Sequence, residues 1–276
     1  MIPLESLLKF IEEDAPSGDI TSEAIIPDIT CRAVIRTEQE GVIAGLEEAA
    51  TLFSHFGITV QSDIRDGERV KTGTVLLSLL GDAKKILLVE RTALNIIGRM
   101  SGIATQTREM ADRVLAENPR CRVAGTRKTC SGIRTLDKKA VVLGGGDPHR
   151  TTLSDGILIK DNHLVLVPVK EAIRRAKAAS AYRKIEIEVE NTGDAVLAAQ
   201  EGADILLFDN MTPEMVQKTI HELEQAGLRE KVTIELSGGI NPKNIRDYAR
   251  TGADIISLGA LTHTVRNFSV TLDILK

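Results

Sequence analysis

The second half of the chain repeats one pattern, a short β-branched run followed by an amphipathic stretch, and this alternation limits the fold more than any other feature. The runs are CRVAGTRK, AVVLGGG, GILIKDN, KIEIEVEN, ADILLFDN, VTIELSGG and ADIISLGA. Between the later ones lie VPVKEAIRRAKAA, TGDAVLAAQEG, TPEMVQKTIHELEQAG and NPKNIRDYARTG. Strand, helix, strand repeated in this way calls for parallel strands joined by right-handed crossovers. EGADILLFDN and TGADIISLGA begin alike, one 50-residue step apart. About seven strands, none followed by G-x-G-x-x-G, favour a (β/α) barrel over an open doubly wound sheet. GGGD at 144–147 lacks that spacing and is a weak phosphate-loop signal by itself.

The first 85 residues read differently. Ile2, Leu4, Leu7, Leu8 and Ile11 share one helical face, and SGDITSEAII breaks the pattern. ITCRAVIRTEQEGVIAG reads as paired strands around a polar connection, GLEEAATLFSHFG as a helix ending at Gly57, and ITVQSDIRDGERVKTGTVLLSLLG as strands joined by glycine turns. This is a separate α+β unit. From Lys85 to about Glu117 a long helical stretch follows, carrying ERTALNIIGRMSGIAT, with Arg91 and Arg99 two turns apart and roughly on one face.

Composition removes several classes of function. Aromatic residues make up 3% of the chain and Trp is absent, so stacking platforms for bases are missing. No apolar stretch reaches the roughly 18–20 residues of a membrane span, and the acidic, amphipathic N-terminus is unlike a signal peptide. A soluble cytoplasmic protein is expected. Cys31, Cys121 and Cys130 have no metal-like spacing. Cys130, in the basic stretch, is the candidate reactive thiol, although a lone cysteine is most often packing.

Charge is distributed unevenly. Gly125 to His163 holds seven Lys or Arg (127, 128, 134, 138, 139, 150, 160) against four Asp (137, 147, 155, 161), in a chain of net charge −4. A cationic island in an acidic protein suits a small anionic ligand, since nucleic acid usually needs a basic face over a whole domain. In a barrel the strand C-termini carry the site. Those positions hold Arg127 and Lys128, His149 and Arg150, Lys160, Glu188, Asp209, Ser237-Gly238-Gly239 and Leu258-Gly259. Basic residues bind carboxylates or phosphates. Neighbouring carboxylates hold Mg²⁺, directly or through water, or sugar hydroxyls. Glycines let backbone N–H groups approach a phosphate. Glu186, Glu188 and Glu190 share one strand face, so at least one of them is expected to pair with a lysine inside the barrel.

ERTALN at 90–95, SGIAT at 101–105, TRKT at 126–129, GGGDPHR at 144–150, LIKDNH at 158–163, EVEN at 188–191, DN at 209–210 and SGGI at 237–240, taken in order over nearly the whole chain, resemble the quinolinate phosphoribosyltransferase family. The resemblance implies an α/β fold of type II phosphoribosyltransferase kind. An N-terminal α+β open-faced sandwich (1–103) is followed by a seven-stranded barrel-like catalytic domain (104–264), with 265–276 packing back on the first domain. It implies transfer of phosphoribosyl from phosphoribosyl pyrophosphate to quinolinate with decarboxylation, giving nicotinate mononucleotide, pyrophosphate and CO₂ in de novo NAD biosynthesis, with Mg²⁺ as cofactor.

Carried over by position, the resemblance makes Arg127, Lys128, His149, Arg150 and Lys160 the lining of a cationic pocket for the quinolinate carboxylates and for phosphates. Glu188 and Asp209 sit by ribose and metal, and Ser237, Gly238, Gly239, Ser257 and Gly259 hold the 5′-phosphate. Lys128, Lys160, Glu188 and Asp209 are the implied catalytic set. A homodimer is implied in which Arg91 completes the neighbour's site, with further assembly into hexamers left open.

The chain departs from the family pattern at Gly125 and at Cys130-Ser131-Gly132, flanking TRKT, and at Asp147-Pro148 before His149. These changes bear on loop shape and substrate affinity, and the basic ligands are intact. Other readings of the residues are a nicotinate-specific, non-carboxylating transferase, a relative from the molybdenum-transport-associated group, a Schiff-base lyase using Lys160, and a non-catalytic phosphoribosyl-ligand sensor.

Overall fold

In the computed structural model, which describes residues 2–275, the elements run α1 (Leu4–Asp14), α2 (Ile20–Ile25), β1 (Thr30–Thr37), β2 (Gly41–Val42), α3 (Leu46–His55), β3 (Thr59–Gln61), β4 (Arg69–Val70), β5 (Val75–Asp82) and α4 (Ala83–Leu115). Next come β6 (Arg122–Gly125), α5 (Arg134–Leu143), β7 (Ile157–Ile159), α6 (Asp161–Leu164), α7 (Val169–Ala179), β8 (Ile185–Val189) and α8 (Thr192–Gln200). The chain ends with β9 (Ile205–Asp209), α9 (Pro213–Gln225), β10 (Thr233–Ser237), α10 (Ile245–Ala249), β11 (Ile255–Leu258), α11 (Ala260–His263) and β12 (Val270–Leu275). Two compact units emerge. One holds the chain up to Arg108, Cys130–Gly145 and everything from Thr264 on; the other holds Glu109–Thr129 and Gly146–His263. The stretch 130–145 therefore interrupts the barrel's run of sequence.

The first unit is built on an antiparallel sheet of order β12-β1-β5-β3. β1 buries Ala33, Val34 and Ile35 in succession, and Ile35 pairs with Leu272 on one edge and Leu77 on the other. With both edges taken, β1 does not pair with the strand that follows it, and the expected hairpin over 30–44 is not formed. The two-residue β2 pairs instead with β4. α4 lays Ile86, Val89, Ala93, Ile97, Met100 and Ile103 into this unit's core at the spacing of a helical stripe. The segment expected to break after α1 contains a short helix, because the Asp19 carboxylate accepts from the Thr21 and Ser22 amides and so caps α2.

The second unit is a parallel sheet of order β6-β11-β10-β9-β8-β7. Its core takes alternate residues of each strand, among them Ile185, Ile187 and Val189 of β8 and Leu206 and Phe208 of β9. By the two-residue period, Glu186, Glu188, Leu207, Asp209, Glu235 and Ser237 face the other way, into the barrel. The run AVVLGGG, expected as a strand, is the end of α5 and the turn after it. Leu136, Ala140 and Val141 are buried while Val142 is half exposed, a helical spacing that packing imposes over the strand preference of valine. The seventh barrel position is one residue long. Asp147 alone bridges to Ala124, donating to Val123 O at 2.8 Å and accepting from Gly125 N at 2.9 Å.

Candidate active site

The cationic residues are delivered by segments that leave the strand ends abruptly. After β6 the Thr126 hydroxyl accepts from the Lys128 amide at 3.1 Å, bending the chain at Arg127. The Lys128 carbonyl accepts from Thr262 Oγ1 at 2.9 Å. The Lys128 stem also crosses Gly259, where an added Cβ would stand 3.1 Å from Lys128 Cδ. Arg127 is half-buried, and its buried Nε has no hydrogen-bond partner among the described residues. Arg150 is half-buried too, and its guanidinium is drawn below the usual arginine range by burial first and by the nearby charge of Arg127 second. Two guanidiniums close enough to repel, neither in an ion pair with a carboxylate among the described residues, form a receptor for an anion.

Lys160 follows β7 directly. Its Nζ lies 2.7 Å from Glu188 Oε2 on the neighbouring strand β8, and its amide donates to His163 Nδ1 at 2.9 Å. Glu188 is thus the strand-face carboxylate that meets a lysine. Asp209 closes β9, and Asn210 Nδ2 donates to Asp209 Oδ2 at 2.7 Å. Asn210 has φ of 54°, and its amide donates to the Ser237 carbonyl at 2.9 Å. Gly238, at φ 88°, packs against the Asn210 amide group. Ser257 is buried and its hydroxyl donates to the Leu236 carbonyl at 3.3 Å, so that hydroxyl is engaged within the sheet.

His149 departs most from a simple strand-end ligand. Its φ is 53°, its amide donates to Asp147 Oδ1 at 2.7 Å, and its Nδ1 accepts from the Arg150 amide at 2.7 Å. Nε2 points inward, 3.3 Å from Glu235 Oε1 and 3.6 Å from Glu186 Oε2. Burial opposes charge on this ring, but the two carboxylates outweigh it and the imidazole is pushed up to about 10. Burial first, with the Glu235 charge adding to it against His149, raises Glu186. Both directions describe a proton held between the His149 ring and Glu186. Because Nδ1 accepts from Arg150, that proton lies on the carboxylate side of the ring. Glu235 was not singled out in the sequence. The available signal was a carboxylate two residues before Ser237, at inward parity between Ile234 and Leu236.

The basic island of the sequence is divided in the fold. Arg127, Lys128, Arg150 and Lys160 belong to the barrel unit, whereas Arg134, Lys138 and Lys139 belong to the first unit. Lys139 there serves Glu47 and Glu48 at 2.5 and 2.6 Å. Arg99 forks onto the fully buried Asp137 at 2.8 and 2.9 Å, while Arg91, also in the first unit, is exposed. Among the described residues no helix is long and apolar enough to cross a membrane.

With this geometry in view, comparisons with known proteins agree with one another. The family described as "Quinolinate phosphoribosyl transferase, C-terminal domain" matches residues 103–273, and its N-terminal counterpart matches 19–101. A probable nicotinate-nucleotide pyrophosphorylase [carboxylating] of Methanothermobacter thermautotrophicus is 44% identical over 275 residues, 98% of each chain. The nicotinate-nucleotide pyrophosphorylase [carboxylating] of Mycobacterium leprae is 37% identical over 280 residues, 98% of this chain and 96% of its own. Among solved structures, the nicotinate-nucleotide pyrophosphorylase of Ehrlichia chaffeensis superposes with a TM-score of 0.93 at 31% identity, covering 100% of this chain and 99% of its own.

Proposed function

The chain belongs to the quinolinate phosphoribosyltransferase family, and from that premise we propose how its residues divide the reaction. The enzyme transfers phosphoribosyl from phosphoribosyl pyrophosphate to quinolinate with decarboxylation, producing nicotinate mononucleotide for NAD biosynthesis.

Arg127, Arg150 and Lys160, with Lys128 at the rim, take the two carboxylates of quinolinate and the phosphates of the donor. The observation that carries this assignment is the adjacent pair Arg127 and Arg150, half-buried and in no ion pair with a carboxylate among the described residues. A fixed cationic pocket selects a dicarboxylate and orients its ring nitrogen toward the ribose. Displacement of pyrophosphate from C1 builds positive charge on the sugar, which Glu188 and Asp209 stabilise. Ribosylation makes the ring nitrogen cationic, so the electron pair left by departing CO₂ is stabilised beside it until a proton from water takes its place on that carbon. No covalent enzyme intermediate is needed. Backbone amides around Ser237, Gly238, Gly239 and Gly259 hold the 5′-phosphate.

Glu188 and Asp209 also fit Mg²⁺. They are hard oxygen donors on adjacent strands, both partly open to solvent, and Mg²⁺ is commonly held by one or two carboxylates with water and substrate phosphates completing the shell. When bound, the ion neutralises charge on the pyrophosphate. Exposed Arg91 is available to a second copy of the chain, and we assign it to the neighbour's pocket in a homodimer.

Pyrophosphate release should be measured with phosphoribosyl pyrophosphate and Mg²⁺, quinolinate and nicotinate being offered separately, with Lys160→Ala as control. Turnover with quinolinate alone, lost in the variant, supports the assignment. Turnover with nicotinate alone means that the altered residues Cys130-Ser131-Gly132 accompany a changed substrate.

A further inference from the structure

Two carboxylates inside the barrel have no part in the chemistry above. Glu186 on β8 and Glu235 on β10 are 93% and 98% shielded at their side chains, and each leaves its Oε1 without a hydrogen-bond partner among the described residues. Buried carboxylates in that condition are uncommon and call for a reason. The strands that carry them are not neighbours, since β9 lies between. Yet both side chains converge on one atom, His149 Nε2, at 3.6 and 3.3 Å.

The ring they meet needs holding. Every other strand-end residue of the pocket leaves a strand of three to five residues, whereas His149 and Arg150 leave a single bridging residue, Asp147. Ladder hydrogen bonds that would fix the backbone at this position are therefore few. His149 nonetheless keeps a left-handed backbone at φ 53°, a conformation that a side chain larger than glycine holds only when its surroundings enforce it. The enforcement comes from three directions: Asp147 Oδ1 on its amide, the Arg150 amide on Nδ1, and the two carboxylates beneath Nε2.

We propose that Glu186 and Glu235 are positioning residues that grip the His149 ring from below, replace the missing seventh strand as the anchor of this segment, and thereby set where Arg150 stands in the dicarboxylate pocket. The role rests on the quinolinate reading of that pocket. A metal ion is the competing occupant, because the three ligand atoms lie within 4.8 Å of one another. The Arg150 amide argues against it: with Nδ1 accepting, the ring proton sits on Nε2, and the atom facing the carboxylates offers no lone pair.

The test is a double-mutant cycle on the full chain, with KM for quinolinate, KM for phosphoribosyl pyrophosphate and kcat measured separately. Glu235→Leu is expected to raise KM for quinolinate about tenfold while KM for phosphoribosyl pyrophosphate stays within about twofold. Glu235→Gln, which keeps an oxygen facing Nε2 without the charge, should recover most of that loss. In an Arg150→Ala background Glu235→Leu should add little, because its effect is transmitted through Arg150. If Glu235→Leu does not fold, Glu235→Asp, which withdraws the carboxylate by one methylene, carries the same cycle.

Full additivity with Arg150→Ala overturns the proposal. So does a fall in quinolinate KM on removing the charge, which would make the carboxylates mere opponents of the pocket's positive potential. Stoichiometric transition metal that purifies with the wild type and is absent from Glu235→Gln overturns it in favour of a metal site. Should Arg150→Ala itself leave quinolinate KM unchanged, the pocket assignment fails and this inference falls with it. A large effect of Arg150→Ala with none from Glu235→Leu sinks the positioning role alone.

Discussion

A Cβ added to Gly238 would stand 2.2 Å from Asn210 Oδ1 and 2.8 Å from the Asn210 amide nitrogen. Asn210 in turn donates to the Asp209 carboxylate at 2.7 Å, so the glycine on β10's exit holds the carboxylate on β9's exit at one remove.

Gly238→Ala is therefore expected to displace Asn210 and with it Asp209, besides straining a backbone at φ 88°. Misplacement of a reacting or charge-stabilising group by about 1 Å costs about 10²-fold in rate. We expect a fall in kcat of that order, with secondary structure retained by circular dichroism. Unchanged kcat would separate Asp209 from the rate-limiting chemistry.

The Arg99–Asp137 fork is a stability element of the first unit. Asp137 is fully buried, so Arg99→Ala strands an uncompensated carboxylate, at an expected loss of about 3–5 kcal/mol. The double variant Arg99→Met with Asp137→Leu should recover most of the loss. Urea unfolding of the three proteins checks both statements; a single variant within about 1 kcal/mol of wild type would contradict them.

Stability should depend on pH through the His149 cluster. The imidazole is raised from 6.5 to about 10, so the folded state binds a proton that the unfolded chain has released across that range. The stabilisation is complete below pH 6.5 and is lost as pH rises through about 10. Glu186 is also raised and acts with the same sign. The Tm difference between wild type and His149→Asn should narrow steadily as pH climbs from 6.5 toward 10, and a widening gap would reverse the sign.

The cysteines should differ in reactivity. Burial, and secondarily Asp254, pushes the Cys121 thiol up to about 12, whereas Cys130 is exposed. Iodoacetamide at pH 8 should label Cys130 in the native protein and reach Cys121 only after unfolding, as read by mass spectrometry. Equal native labelling would mean that the barrel opens at β6.

Much of the barrel could be read from the chain because its strands obey a local rule. In KIEIEVEN apolar residues alternate with glutamates and ADILLFDN is a short apolar run closed by a carboxylate; Glu188 stands one residue before the end of β8 and Asp209 at the end of β9. AVVLGGG obeyed no such rule. Its valines suit a strand, and only packing within the first unit makes them the end of α5.

Chain order and side-chain period by themselves determined the α/β class, the helical stretch before β6, and the placement of Lys160, Glu188 and Asp209 at strand ends, because hydrophobic periodicity and strand direction are properties of neighbouring residues. The tertiary structure alone decided which charges meet. Lys139 and Arg127 lie 12 residues apart in the sequence but in different units, and His149, Glu186 and Glu235 span 86 residues yet meet at one ring nitrogen. Those pairings depend on how far each strand rises before its side chain turns inward, and on a seventh strand reduced to Asp147; no local pattern encodes either.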